Sequence, residues 1–232
     1  MRPAVQGRLW SRTSSNPGGA HVYESGRRAV AAAVPELATL TPGRTGNVSA
    51  GNGTVLAITP TGVPYDEVQA ADVPVVDLEG EQVFGKLAPS SEAPFHRAIY
   101  REFDAGGVVH VHSPWATTLA VLRRPVPPVH YMLALAGGQV PVADYETYGT
   151  PALADAIVST LREHDRRACL LANHGLVAYG DDPADAIEVA RAVESTARLY
   201  LQAASVGDPE ILSDFETERV AKRFETYGQT GS

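Results

Sequence analysis

The sequence predicts an α/β fold, with one domain built on a central mixed, mostly antiparallel sheet that is flanked by helices. Segments with the apolar period of a helix alternate along the chain with short β-branched runs. Several of these runs are separated by tight, glycine-containing turns, which favour antiparallel pairing over parallel crossovers. Of the 232 residues, 44% are hydrophobic and 20% are charged, ordinary globular values that exclude a disordered chain.

Six segments carry helix patterns. Asp182 is predicted to cap the clearest of them, because Pro183 then takes the favoured first position and Asp185 the capping-box position. Pro35 lies inside the first segment and is expected to kink or divide it. The predicted helices are 24–40, 91–103 with Ser90 or Ser91 as its cap, 114–122, 152–163, a segment that begins at 183, and a segment from 213 to about 228.

Seven short runs carry strand patterns. The first four form two hairpins, because each pair is separated by a few residues that contain glycine. The other three are largely apolar, which is typical of strands buried on both faces. The predicted strands are 47–50 with 54–58, 74–78 with 82–85, 107–112, and 168–172 paired with 176–179. We expect these elements to form one domain over 21–228, between a flexible leader at 1–20 and a short tail at 229–232.

Charge and cysteine content exclude several functions. The formal net charge is −8, so the chain lacks the basic excess of a general nucleic-acid binder. Two stretches without Asp, Glu, Lys or Arg, 105–122 and 125–143, are interrupted by histidines and prolines, so we expect no membrane span. A single cysteine forms no internal disulfide, and the N-terminus has no secretory apolar region, so a cytoplasmic protein is expected.

Two histidines on one predicted strand indicate a metal site. His110 and His112 are two residues apart, so their side chains point to the same face of the sheet. His174 follows another buried strand and precedes a glycine, and it would complete the three protein ligands typical of a catalytic zinc centre. The alternative is that these are ordinary polar residues of the sheet and its turns. His96 is interpreted as a residue on a helix face, without a role in the site.

Two further patterns favour binding of a small anion. Ser90 and Ser91 precede a predicted helix, where hydroxyl groups lie beside unpaired backbone N–H groups and the positive end of the helix dipole. Glu92 follows them, and beside a metal it would act as a fourth ligand or as a general base. The other pattern consists of two turns rich in glycine and small hydrogen-bond donors, at 43–49 and 59–62. Each is also compatible with a plain structural loop.

Five motifs together resemble the class II aldolase and adducin family, and the similarity extends from about residue 24 to residue 228. In chain order they are GNVS at 46–49, TPTG at 59–62, PSSE at 89–92, HVH at 110–112 and ANHG at 172–175. The family implies an α/β/α fold, zinc as the cofactor, and a fourfold-symmetric homotetramer with sites between subunits. Further similarity, such as VHYMLALAGG at 129–138, favours the members of the family that cleave sugar phosphates.

The resemblance implies a role for each matching residue. His110, His112 and His174 match the ligands of one Zn²⁺ or other divalent metal per chain, and Glu92 matches the catalytic carboxylate, which is also a ligand in the resting state. Tyr131 matches a tyrosine that reaches a neighbouring subunit's site and donates a proton there. The positions that match phosphate-binding residues are Asn47, Thr61, Gly62, Ser90 and Ser91.

The chain departs from the family pattern at two positions. Arg44 stands where the aldolases have threonine, with Thr45 one place later, and its guanidinium would strengthen phosphate binding or change the anion bound. Tyr148 stands where they have phenylalanine, which adds a hydroxyl near the aldehyde pocket. Phe224 and Tyr227 match aromatic residues of a C-terminal segment that closes over the substrate.

The activity implied is reversible cleavage of a ketose 1-phosphate, such as L-fuculose 1-phosphate, to dihydroxyacetone phosphate and an aldehyde such as lactaldehyde, through an enediolate. Three alternatives stay open at this point: a pentulose-phosphate 4-epimerase, a methylthioribulose-phosphate dehydratase and a non-enzymatic adducin-like domain. Glu92 favours the aldolase, because the epimerases usually have aspartate there. The presence of all three histidines argues against the adducin-like domain, which lacks them.

Overall fold

A computed structural model describes residues 23–224 and residue 226. The predicted leader and tail, together with Tyr227, lie outside the described residues. The described part contains an eight-stranded sheet with the strand order β4-β3-β2-β1-β5-β8-β7-β6. All neighbouring strands pair antiparallel except β6 and β7, which are parallel, so the predicted mixed, mostly antiparallel sheet is confirmed. The strands are β1 (Asn47–Gly51), β2 (Val55–Ile58), β3 (Val75–Asp77), β4 (Gln82–Phe84), β5 (Gly107–Val111), β6 (Val142–Ala143), β7 (Ala168–Leu171) and β8 (Gly175–Gly180).

Six α-helices, the number predicted, occur in the part of the chain that the structure describes. They are α1 (Glu24–Leu40), α2 (Ala93–Glu102), α3 (Pro114–Leu122), α4 (Pro151–His164), α5 (Pro183–Ala204) and α6 (Asp214–Phe224), and two 3₁₀ turns occur at Tyr65–Glu67 and Tyr131–Ala136. None of the helices in the described part of the chain is long and apolar enough to cross a membrane.

The helices form a layer on each side of the sheet. Helices α1, α3 and α5 pack on one face, in a core that includes Val34, Leu119 and Val193. Helices α2 and α4 pack on the other face, in a core that includes Ile99 and Ile157. The central strands send alternate side chains into the two cores, which explains why most of their residues are apolar.

Strand β5 places the first histidine in the centre of the sheet. It lies between β1 and β8, with Asn47 and Val177 as the direct neighbours of His110. Every residue of β5 is buried, and the ring of His110 is in edge contact with Phe95 of α2, with the ring centroids 5.6 Å apart. The strand therefore holds His110 on the face that α2 covers.

Helix α3 begins directly after the second histidine, and a carboxylate from another helix stabilises its first turn. The backbone N–H groups of Trp115 and Ala116 donate to the two carboxylate oxygens of Glu194 in α5, at 3.0 and 2.8 Å. These N–H groups have no partner within their own helix, and a carboxylate also complements the helix dipole. Glu194 therefore fixes the chain that leaves the metal-binding strand.

Several predicted element bounds were wrong. Helix α2 begins at Ala93, because Glu92 takes the cap position and Ser90 accepts a hydrogen bond from the Glu92 N–H. Helix α1 is undivided, with Pro35 inside it. Strand β5 ends at Val111, so His112 lies one residue beyond it. The short strand β6 and both 3₁₀ turns were not predicted.

Candidate functional site

The three predicted histidines meet at one point. Their candidate ligand nitrogens all lie within 4.8 Å of one another, and the Nε2 atoms of His110 and His112 are 2.9 Å apart. His174 reaches this point from the turn between β7 and β8, where Asn173 adopts a left-handed φ of 55°. The turn is fixed by a hydrogen bond from the His174 N–H to the carbonyl of Leu171, at 3.0 Å.

The protonation of the histidines suits metal binding. His110 Nδ1 donates to the backbone carbonyl of Leu176 at 2.9 Å, which leaves its Nε2 lone pair directed at the other two rings. Burial, partly opposed by Glu92, lowers the pKa of His110 to about 4, and burial also lowers the pKa of His112. Both rings are therefore neutral near pH 7, the form that ligates metals.

Glu92 completes this group from the cap position of α2. Its Oε2 lies 3.3 Å from Nε2 of His110, and its Oε1 lies 3.3 Å from Nε2 of His174. Burial raises the pKa of the Glu92 carboxyl, but His110, His174 and the hydrogen bond from Asn47 outweigh burial and lower the pKa to about 2. The side chain makes no capping hydrogen bond to its own helix, so it does not serve the helix dipole in the way that an ordinary first-turn acid does.

The residues fit a divalent metal. A buried oxygen, Oε1 of Glu92, accepts no hydrogen bond from any described residue, and a cation beside it would satisfy this atom. Three imidazole nitrogens and one carboxylate oxygen are the donors typical of zinc and similar ions.

A small polar cavity of about 110 Å³ lies on one side of Glu92. It brings together both glycine-containing turns and the two serines. Gly62 has a φ of 73°, which allows its turn to expose backbone to the cavity. Arg44 also lines this cavity, and its Nη1 donates to the Gly62 carbonyl at 3.3 Å. The predicted phosphate-binding residues that line it are Asn47, Thr61, Gly62, Ser90 and Ser91, together with Thr45.

A second, wider cavity of about 350 Å³ opens on the metal side. His112, His174 and Glu92 form its floor, and the exposed loop with Tyr145 and Tyr148 forms part of its wall. The predicted Tyr148 therefore lies in the cavity beside the metal site. Thr45, Ser91 and Glu92 line both cavities, so one ligand can reach from the polar turns to the histidines.

Asn47 lines the polar cavity, and its side-chain amide also makes two buried contacts. Its Nδ2 donates to Glu92 Oε2 at 2.8 Å, and its Oδ1 faces Nε2 of His96 at 2.6 Å. His96, interpreted from the sequence as a helix-face residue, is fully buried, and its Nδ1 lies 2.7 Å from the hydroxyl of Ser49. That hydroxyl is 2.9 Å from the hydroxyl of Tyr100.

Sequence reasoning missed this buried network, although the spacing of its residues indicates it. Glu92, His96 and Tyr100 are spaced four residues apart on α2, and Asn47 and Ser49 are two apart on β1. One helix face therefore meets one strand face. Burial is the largest cause that lowers the pKa of His96, to about 3, so this ring is neutral.

Tyr131 and Phe224 lie together, away from both cavities. Neither residue is among the described residues that line these two cavities. Their rings are 6.3 Å apart, and Tyr131 is 51% exposed. Within one chain the structure therefore does not bring Tyr131 to the metal site.

Comparison with known proteins places the fold and this site in a family. Residues 28–201 match the model of the class II aldolase and adducin N-terminal domain. A 5-deoxy-D-ribulose 1-phosphate aldolase of Bacillus thuringiensis is 44% identical over 193 residues, which cover 82% of this chain and 90% of that protein. An L-fuculose phosphate aldolase of Escherichia coli is 41% identical over 192 residues, covering 82% and 88%. A solved L-fuculose 1-phosphate aldolase has a TM-score of 0.83 and 36% identity, covering 88% of this chain and 98% of that one.

The fold and the site together define an α/β/α enzyme with a cluster of three histidines, able to hold a metal, beside a polar cavity. The chain belongs to the class II aldolase and adducin family, and it is an enzyme of the lyase class.

Proposed function

We propose that this protein is a zinc-dependent aldolase that reversibly cleaves a ketose 1-phosphate to dihydroxyacetone phosphate and an aldehyde. The observation that carries the proposal is the position of Glu92. It lines the polar cavity and the wider cavity, and it lies 3.3 Å from two of the three clustered histidines. A carboxylate between an anion site and a metal site is suited to proton transfer at a carbon beside a ketone.

The polar cavity would hold the phosphate group of the substrate. Ser90, Ser91 and Thr61 supply hydroxyl donors, and the cavity lies at the N-terminal end of α2, where the helix dipole favours an anion. Arg44 supplies a guanidinium, which matches phosphate in charge and geometry. Asn47 would contribute by orienting Glu92, which its amide already contacts.

Held by His110, His112 and His174, a divalent metal supplies Lewis-acid polarisation of the substrate's ketone and neighbouring hydroxyl. His110 and His112, whose pKa values are lowered by burial, would present neutral ring nitrogens to the metal, and the Glu92 carboxylate would serve in proton transfer. In cleavage, a base removes the proton of the C4 hydroxyl, the bond between C3 and C4 breaks, and the aldehyde departs. Glu92 takes up a proton, while the base releases the hydroxyl proton to solvent, and Glu92 transfers its proton to C3, which gives dihydroxyacetone phosphate. In the synthetic direction Glu92 removes that proton.

Tyr131 of a neighbouring subunit would donate a proton to the aldehyde oxygen in synthesis and accept it in cleavage. Its exposure and its distance from the cavities of its own chain support a role at another chain's site. Phe224 lies beside it, so the two residues would approach that site together. Tyr227 would belong to the same segment. This arrangement requires an assembly, and we propose the fourfold-symmetric homotetramer.

The reaction needs no lysine. A Schiff-base aldolase requires a lysine in the pocket, and the chain contains two lysines, Lys86 and Lys222. Neither is among the described residues that line the two cavities. A metal-assisted route is therefore the one that these side chains support.

A cytoplasmic location stays a prediction from the single cysteine, which is buried in β7.

Two ketose 1-phosphates are proposed as substrates, because the relatives described above act on L-fuculose 1-phosphate and 5-deoxy-D-ribulose 1-phosphate. Both substrates give dihydroxyacetone phosphate, and they differ in the aldehyde released. The Tyr148 hydroxyl beside the wider cavity would favour the hydroxylated aldehyde from L-fuculose 1-phosphate.

A coupled assay with both substrates tests the proposal. Release of dihydroxyacetone phosphate is followed by its enzymatic reduction with NADH, and the remaining sugar phosphate is checked for a change of configuration. We expect stoichiometric release, and Glu92→Gln is expected to lower kcat by roughly 10²–10⁴-fold, the usual contribution of a general base. Epimerisation without release, or a fully active Glu92→Gln variant, would overturn the proposal. Glu163→Gln, on exposed helix surface, is the matched control.

A further inference from the structure

Helix α2 and strand β1 are joined by a ladder of alternating polar side chains, which we call the α2–β1 ladder: Glu92, Asn47, His96, Ser49 and Tyr100. Consecutive members are within hydrogen-bond distance, at 2.8, 2.6, 2.7 and 2.9 Å. Each is 7% exposed or less. A buried polar group without a partner costs about 1–3 kcal/mol, so each contact between consecutive members must pair one donor with one acceptor.

Chemistry fixes the direction of every hydrogen bond in the ladder. A carboxylate only accepts, so Asn47 presents its NH₂ group to Glu92 and its carbonyl to His96. That carbonyl only accepts, so the proton of the neutral His96 ring is on Nε2. Nδ1 must then accept from Ser49, and the Ser49 oxygen accepts from the Tyr100 hydroxyl. The Glu92 carboxylate, at one end of the ladder, thus determines which atom donates in every hydrogen bond of the ladder.

The ladder distinguishes the two oxygens of Glu92. Oε2 is held by Asn47, whereas Oε1 accepts no hydrogen bond from any described residue. Oε1 also points towards His174, which is on the side of the wider cavity. We propose that the α2–β1 ladder positions Glu92 for proton transfer through Oε1, with His96 as the positioning residue that keeps the Asn47 amide in its donating orientation.

The surroundings of the ladder keep it rigid. The His96 ring is stacked on Phe95, with centroids 4.8 Å apart. A Cβ at Gly51 would lie 2.5 Å from the Tyr100 ring, so glycine at this position makes room for the last member. Rotation of the Asn47 amide by half a turn would place its oxygen against the Glu92 carboxylate and its NH₂ group against the His96 N–H. Both partners therefore oppose the rotation, and loss of the His96 N–H removes one of them.

This inference depends on the proposed function, and a half-reaction separates the two. With dihydroxyacetone phosphate alone, in D₂O and without aldehyde, the enzyme should exchange one proton at C3 through Glu92. The variants are His96→Leu, which removes both ring nitrogens, and His96→Gln, which offers an N–H and an acceptor in similar places. Thr196→Val is the control, because Thr196 is also fully buried but lies on α5, away from the ladder.

We expect His96→Leu to lower the exchange rate and kcat by roughly 10- to 100-fold, the cost of a misplaced catalytic group, with KM for the phosphate substrate and metal content unchanged. His96→Gln should recover most of the loss, and Thr196→Val should match the wild type. Equal exchange in wild type and His96→Leu would overturn the inference. Should His96→Leu fail to fold, Ser49→Ala removes the donor to His96 and is expected to lower exchange in the same direction, and wild-type exchange in it would overturn the inference.

Imidazole ¹⁵N NMR of the metal-loaded wild type gives a readout besides activity. His96 should carry its proton on Nε2, and a proton on Nδ1 would overturn the inference. If the wild type neither exchanges nor cleaves, the proposed function fails, and the NMR result still decides whether the ladder has this orientation.

Discussion

Asn47 and His110 lie directly opposite each other on strands β1 and β5. This pairing connects the two halves of the site, because Asn47 follows the first glycine-containing turn and His110 is a metal-site histidine. The strands approach so closely here that a Cβ at Gly46 would lie 2.6 Å from the His110 carbonyl oxygen. The turn and the histidine are therefore held by one local piece of sheet, rather than by separate elements.

Gly175 gives the first prediction. A Cβ there would lie 2.6 Å from the Val111 carbonyl oxygen, 2.9 Å from the His112 ring and 3.2 Å from the His110 ring. Gly175→Ala should displace the histidines and weaken metal binding by roughly 10- to 100-fold, comparable to loss of a partner that orients metal ligands. Competition with a chromogenic chelator measures the affinity. Gly207→Ala, with open space around its Cβ, is the control, and equal affinity in both variants would contradict the packing argument.

Arg44 gives the second prediction. Arg44→Thr removes the guanidinium from the polar cavity, and we expect KM for the sugar phosphate to rise by about tenfold, the equivalent of about 1.4 kcal/mol, with a much smaller change in kcat. Inhibition by inorganic phosphate should weaken in parallel. Steady-state kinetics at two ionic strengths measure both effects. An unchanged KM would show that Arg44 serves only its contact with Gly62.

The buried histidine of the ladder gives a prediction on stability. Burial lowers the pKa of His96 in the folded protein to about 3, against an ordinary value of 6.5. Between these values the unfolded chain binds a proton that the folded chain does not. Stability is therefore complete above pH 6.5 and decreases as the pH falls towards 3, by at most about 1.4 kcal/mol per pH unit for one proton. Urea unfolding of the wild type and His96→Gln at several pH values tests this, since the variant should lose less stability on acidification. Parallel curves would contradict it.

Tyr131 gives a prediction about assembly. If Tyr131 serves the neighbouring subunit's site, then Glu92→Gln and Tyr131→Phe each damage a different component of a shared site. Co-expressed chains carrying one substitution each should form mixed assemblies that recover activity, because some sites then combine an intact Glu92 with an intact Tyr131. Native mass spectrometry confirms mixing. Mixed assemblies without recovery would place both residues at the site of one chain, or exclude Tyr131 from it.

Much of the fold was predictable because its elements depend on local sequence. The period of two in HVH, and the cap at Asp182 followed by Pro183, each indicate structure without reference to distant residues. Asp182 indeed accepts a hydrogen bond from the Asp185 N–H at 2.8 Å. The two-residue strand β6 escaped prediction, because its parallel pairing with β7 depends on contacts across the chain.

The candidate site also has residues that local sequence predicts and residues whose positions depend on distant contacts. The histidines and the two turns were predictable, since each has a chemical pattern of its own. His96 was not, because a histidine on an amphipathic helix face has the same local pattern whether solvent or a buried amide faces it. Tyr131 differs again, since the role proposed for it depends on a second chain. The GNVS motif indicates Asn47 as a phosphate-binding residue, but it does not indicate the two buried hydrogen bonds that the Asn47 side chain makes.

The central claim is that a metal held by three histidines, with Glu92 beside it, enables cleavage of a sugar phosphate. Titration of Zn²⁺ into metal-free protein, with release of dihydroxyacetone phosphate recorded at each addition, tests it most directly. The account predicts negligible release without metal, a linear rise, and saturation at one metal per chain. It predicts no such recovery for His110→Ala/His112→Ala. Full activity of the metal-free protein, or of that double variant, would contradict the account.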